Sequence, residues 1–166
     1  MHIRKITPND VGAAEAIYES ARDFMKAAGN PDQWRDGYPG KKEILADMAE
    51  DRSYVCEDAG EVVAVFYFGE GPDPTYEKIY GGKWLNDEPY SVIHRIAVKH
   101  HGRGIVDFCF SECSKIAKNL KIDTHKDNIP MQRVLLRAGF VECGTIYLKS
   151  GDARIAFQKT REGDRL

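Results

Sequence analysis

The stretch richest in chemistry reads Ile93-His94-Arg95-Ile96-Ala97-Val98-Lys99-His100-His101-Gly102-Arg103-Gly104-Ile105-Val106. An apolar, β-branched run meets a Gly-x-Gly turn that opens directly into a helical pattern. The free N–H groups of such a turn point outward at the positive end of a helix dipole. That makes a cradle suited to a phosphate or pyrophosphate. Arg103 and the two histidines beside it can add charge or donors. Two glycines can also do no more than make a tight turn, so the turn by itself leaves both readings open. It lacks the Gly-Lys-Ser/Thr ending of a P-loop, and Asp107 stands where a dinucleotide fingerprint has its third glycine.

The elements that must position this turn follow from periodicity and punctuation. His2 to Ile6 reads as a strand, and Pro8 opens a helical pattern through Val11, Ala14, Ile17, Ala21 and Phe24 that stops at Gly29. A loop holding Gln33, Trp34 and Tyr38 leads to a second helix on Ile44, Leu45 and Met48. Strands Ser53 to Glu57 and Val62 to Phe68 flank an Asp58-Ala59-Gly60 turn, a hairpin signature. Gly69 to Glu88 is a long loop rich in Tyr and Trp, of a length that is uncommon unless it lines a site. Tyr90 to Val98 is a strand, Ile105 to Ala117 a helix with an apolar stripe, and Leu120 to Thr124 a short strand. Asn128 caps a helix with Pro130 in its first turn and Gly139 at its end. Phe140 to Leu148 and Ala153 to Lys159 are the final strands. The order is β α α β β β α β α β β, which predicts an α/β (α+β) fold on one mixed sheet.

The chain has 166 residues, which predicts one domain over 1–166 with a core that needs no disulfide or metal. With 24 Lys plus Arg against 26 Asp plus Glu and no block of like charge, no nucleic-acid partner is expected. The longest apolar run, Val62 to Phe68, is far below the about 20 residues that span a bilayer. No signal-peptide pattern opens the chain, which predicts a cytoplasmic protein. The cysteines, Cys56, Cys109, Cys113 and Cys143, are too scattered for a disulfide scaffold. Cys109 and Cys113 share a helix face but lack a second pair at zinc spacing, so no metal is expected.

Over essentially its whole length the chain resembles the GNAT superfamily of N-acetyltransferases, in particular small bacterial members of unassigned substrate. The family's acetyl-CoA signature falls on His101-Gly102-Arg103-Gly104-Ile105-Val106. A second pattern, Asn followed by a helix ending in Gly-Phe, falls on Asn128 through Gly139-Phe140. The resemblance implies a mixed central sheet of about seven strands flanked by about four helices. It also implies acetyl-CoA as cosubstrate and direct transfer of the acetyl group to an amine. Backbone of Ile96 and Val98 would meet the thioester, the turn from His101 to Val106 the phosphates, and the Asn128 amide the pantetheine arm. The chain departs from the pattern at His101, where Gln or Arg is usual, and at Val106, where a small residue is usual. Leu135 stands where many members carry a tyrosine that acts as general acid.

An alkyl amine has a pKa near 10, so at neutral pH a base must help it react. His94, four residues before Val98, holds a position from which some family members present a histidine to the acceptor. Strand alternation puts it on one face with Val92, Ile96 and Val98, where it also reads as a buried core histidine. His125 and Tyr147 are candidates for the missing acid. By the resemblance, the two aromatic loops supply the acceptor pocket, with Gln33, Trp34, Tyr38 and Trp84 facing a small-molecule amine. The same aromatics could instead pack the loops on the core or join two chains as a homodimer. The rival to an acetyltransferase is a non-catalytic module of the same fold that holds a CoA-like or other anionic ligand.

Overall fold

The computed structural model describes residues 1–161. Apolar alternation and the turn residues lay out β1 (His2–Lys5), α1 (Val11–Ala27), α2 (Lys41–Ala49), β2 (Ser53–Asp58) and β3 (Glu61–Glu70). Then come β4 (Ser91–Val98), α3 (Ile105–Ile116), β5 (Asn119–Thr124), α4 (Ile129–Arg137), β6 (Val141–Tyr147) and β7 (Ala153–Thr160). All seven strands join one sheet in the order β1-β2-β3-β4-β5-β7-β6. Every neighbouring pair is antiparallel except β4 with β5. The expected fold class and element order therefore hold, with boundaries shifted by a residue or two.

The sheet is covered on both faces. Ile93, Ile96 and Val98 of β4 pack with Phe66, Ile122 and Phe157 against Ile105, Cys109 and Phe110 of α3 and Leu135 of α4. On the opposite face Ala97, Val65 and Val55 meet Ala14, Ile17, Tyr18 and Ala21 of α1 and Ile44 of α2. The long loop after β3 does the work of a helix over the rest of that face, with Tyr76 buried on Val92, Ile146 and Ala156. Tyr80 and Thr145 exchange backbone hydrogen bonds at 2.9 and 2.8 Å, which stitches this loop to β6. At Gly82 a Cβ would sit 1.9 Å from the Cys143 carbonyl oxygen, so only glycine allows the loop to come this close.

Two irregularities in β4 matter for function. The first is a bulge: Val65 pairs with Ala97 but Tyr67 pairs with His94, so Arg95 and Ile96 share the space opposite Phe66. Arg95 adopts φ +51°, a left-handed conformation uncommon for a side chain of this kind. The parity of the strand changes there. His94 keeps Val92 on its face, beside Tyr67 and Tyr76, while Ile96 and Val98 turn to the α3 face. The expected common face of His94 with Ile96 and Val98 is thus corrected, because alternation fails at a bulge.

The second irregularity is a fork. β4 and β5 are paired at Ser91 with Leu120 and at Val92 with Lys121, and no further. Beyond those pairs the strands diverge, and the edge of β4 that faces β5 has no strand to bond with.

Candidate active site

The mouth of the fork opens into a cavity of about 250 Å³. Its walls are Ile96 of β4, Ile122, Asp123 and Thr124 of β5, Asn128 and Met131 of α4, and Arg154 of β7. Gln33, Trp34 and Tyr38 close it from the loop after α1, and Thr75, His94 and Arg95 from the side of the long loop. Sequence positions separated by more than a hundred residues meet here because both aromatic loops hang over the fork.

His94 Nε2 lies 2.8 Å from Asp73 Oδ2. Burial raises the Asp73 carboxyl, but the His94 hydrogen bond and charge and the Thr75 N–H outweigh it and leave the acid below its usual range. An ionised Asp73 accepts the Nε2 proton and leaves Nδ1 as the ring's lone-pair nitrogen. Arg95 beside it is held by Asp47 of α2 at 2.7 and 2.8 Å. Tyr76, packed beside His94, donates its hydroxyl to Asp123 of the cavity wall at 2.6 Å. Burial, then the Asp123 charge, pushes the Tyr76 phenol far up, so it stays a donor at any working pH.

Gln33 ties the first loop to the last helix. Its Oε1 accepts from Asn30 Nδ2 and from Asn128 Nδ2, each at 2.9 Å. Asn128 Oδ1 in turn caps α4 by accepting from the Met131 N–H. Its oxygen and one N–H are thus engaged within the chain, and the second amide N–H is left for a ligand group such as a pantetheine arm. Asn128 lines the cavity.

The glycine turn lies at the far end of β4. Gly102 and Gly104 have φ +73° and +71°, and a Cβ on either would meet open space. These glycines are there for backbone conformation. The first N–H of α3 to bond back is that of Phe108, to Gly104 at 3.0 Å, so those of Ile105, Val106 and Asp107 are the free donors of a helix start. Ile105 is buried in the core and Val106 packs against it. Arg103 stands exposed, and His101 stacks on Phe24 of α1 with ring centroids 3.7 Å apart. Burial and then the neighbouring His100 hold His101 below its usual range, so it enters as a neutral ring and the expected extra charge at this position is absent.

Trp84 is not in the cavity wall. Its Nε1 donates to the Tyr76 carbonyl at 2.9 Å, and its ring carries the Lys121 ammonium at 4.0 Å. The expected contact of Trp84 with the acceptor is corrected: it props the loop from behind. The two acid candidates are also elsewhere, Tyr147 edge-on to Tyr80 and His125 bound through Nδ1 to the Asp127 N–H. Leu135 is fully buried in the core. Burial pushes the Cys113 thiol up to about 12, which marks it as an inert core residue. Arg154 carries no sequence signal of its own, and nothing local links Asp73 to His94.

Could this cleft take coenzyme A? Thr124 Oγ1 is buried at the fork without a hydrogen-bond partner. A buried hydroxyl of this kind asks for a ligand group. With the unpaired edge of β4 on one side and free helix-start N–H groups below, the residues fit an extended, amide-bearing arm ending in phosphates.

A mixed sheet forked at its one parallel pair, with the glycine turn and its free helix-start N–H groups below the fork and a polar cavity above, is shared with known acetyltransferases. A GNAT-family acetyltransferase from Streptococcus agalactiae 2603 is similar at 30% identity and a TM-score of 0.89, over 97% of this chain and 95% of that one. The chain belongs to the GNAT family of acetyltransferases. The same fold recurs in a ribosomal-protein-alanine N-acetyltransferase from Brucella melitensis, at 21% identity and TM-score 0.63, over 97% of this chain and all of the other (100%). An aminoglycoside 6'-N-acetyltransferase from Acinetobacter haemolyticus shares it at 15% identity and TM-score 0.64, over 92% and 99%. No family model and no curated protein sequence matches the chain. Among the described residues no helix is long and apolar enough to cross a membrane, and no cluster of His, Cys, Asp and Glu is gathered as for a metal.

Proposed function

We propose that the protein uses acetyl-CoA to acetylate a primary amine of a small molecule, with His94 as general base. The carrying observation is His94 in the wall of the cavity at the fork, paired through Nε2 with Asp73 at 2.8 Å. It favours transfer over the non-catalytic module, because a mere ligand holder has no use for an oriented base there. Acetyl-CoA, when bound, supplies a thioester carbon open to attack. Asp73 fixes the tautomer and orientation of His94, and Nδ1 takes the proton that the ammonium form of the acceptor must lose. Main-chain groups of Ile96 on the unpaired edge of β4 supply pre-aimed dipoles for the thioester oxygen. The N–H groups from Gly102 to Val106 hold phosphate, with Arg103 adding charge at the rim. A thiol has a pKa of about 8.5, so it can leave without a dedicated acid, which makes Leu135 tolerable.

Gln33, Trp34 and Tyr38 form the acceptor side of the cavity, with the Trp34 ring fixed edge-on to Tyr18 at 5.8 Å. Four cysteines without disulfides suit the reducing cytoplasm. The test is release of free thiol from acetyl-CoA in the presence of an amine panel. Acetyl-CoA-dependent release that requires an amine and falls in His94→Ala supports the assignment. Tight acetyl-CoA binding with no transfer to any amine would return the non-catalytic reading.

A further inference from the structure

We infer that the acceptor carries a carboxylate as well as its amine, and that Arg154 binds this carboxylate; the inference rests on the amine-acetylation reading above. Arg154 reaches the cavity from β7 and is only 6% exposed. Among the described residues its guanidinium has only neutral partners, the Ala153 carbonyl at 3.0 Å and the Gln33 carbonyl at 3.5 Å. A buried cation left with neutral partners is costly unless something anionic completes it. Its planar fork matches a carboxylate in particular.

Among the described residues the carboxylate in the cavity wall, and those bonded to its wall residues, are engaged within the chain. Asp73 is engaged by His94, and Asp123 accepts from Tyr76. Asp47, beneath the cavity, is held by Arg95. The positive charge of Arg154 is felt next door: burial first, then Arg154, holds the His125 imidazole below its usual range. A polyamine would bring a second cation against this charge. An amino acid would neutralise it while its amine turns toward His94. A cavity of about 250 Å³ is at the small end for ligand sites and suits a molecule of that size.

The experiment compares thiol release with matched pairs: proteinogenic amino acids and 4-aminobutanoate against their decarboxylated amines, with spermidine as a further acceptor. At least one carboxylate-bearing acceptor is expected to show a kcat/KM tenfold or more above its decarboxylated partner. Arg154→Gln should raise its KM at least tenfold, so that its kcat/KM falls to about that of the plain amine. Equal or better turnover of plain amines or spermidine overturns the inference, as does a carboxylate preference that survives in Arg154→Gln. If Arg154→Gln does not fold, Arg154→Lys, which keeps the charge and loses the fork, must show the same rise in KM. If no amine is acetylated, the function itself fails and calorimetry with the same amino acids decides separately. Binding to the wild type that is lost in the variant upholds the carboxylate site, and no binding overturns it.

Discussion

The Tyr18 hydroxyl in α1 donates to the Arg95 carbonyl in the bulge of β4 at 2.8 Å. Residues in this backbone region carry on the order of 1–3 kcal/mol of strain and persist only when their surroundings hold them. Here the holders are Tyr18 from one helix and Asp47 from the other, and the result is that His94 and Arg95 both face the cavity. Tyr18→Phe should lower stability by about 1 kcal/mol, read as a lower denaturant midpoint at constant slope. Turnover should fall too, and unchanged turnover would detach the bulge from catalysis.

His94→Ala should reduce kcat/KM on the order of 10²-fold at pH 7. The deficit should shrink as pH nears the amine pKa of about 10, where the acceptor sheds its own proton. Asp73, held low, stays ionised across this range, so it contributes no limb to the profile near neutrality. A deficit independent of pH would remove His94 from proton transfer.

Gly104→Trp places a bulky ring on a left-handed residue at the start of α3. Calorimetric binding of acetyl-CoA and of free CoA should both be lost while the melting temperature falls by only a few degrees. Retained binding would move the phosphates away from this turn.

The two tryptophans should separate cleanly. Trp34→Ala, at the cavity wall, should raise the acceptor KM and leave the acetyl-CoA Kd alone. Trp84→Ala removes the support of Tyr76 and Lys121, and should cost about 1–3 kcal/mol of stability with little change in either constant. An acceptor KM raised by Trp84→Ala alone would restore it to the site.

Asp10 accepts from Arg4 at 2.7 and 3.0 Å and from the Thr7 N–H at 2.7 Å. The Arg4 bond outweighs burial and brings its carboxyl down to about 2. An unfolded aspartate titrates at about 3.9, so the stabilisation is complete above that pH and is lost as pH falls toward 2. Between pH 4 and 2 the wild type should lose more stability than Asp10→Asn in urea titrations, and parallel losses would contradict this.

Local signals carried the element order far. Asn128 as a cap, Gly139 as a stop and Ala59-Gly60 as a turn act within a few residues of themselves, so pattern alone locates them. The site was legible only in part. Nothing local announces that Arg95 turns left-handed, since the cause is Tyr18, 77 residues away. The Gln33 bond to Asn128 spans 95 residues, and the Asp73 bond to His94 spans 21. An aromatic in a loop looks the same from sequence whether it faces a ligand, as Trp34 faces the cavity, or props the loop, as Trp84 does.

The fork between β4 and β5 divides the sheet into a four-strand and a three-strand half joined by two residue pairs. An amide-bearing ligand arm seated there works as a missing strand, supplying the rungs the ladder lacks. Occupancy then becomes a structural join. Saturating ligand should raise the melting temperature and slow amide exchange along β4 and β5 together.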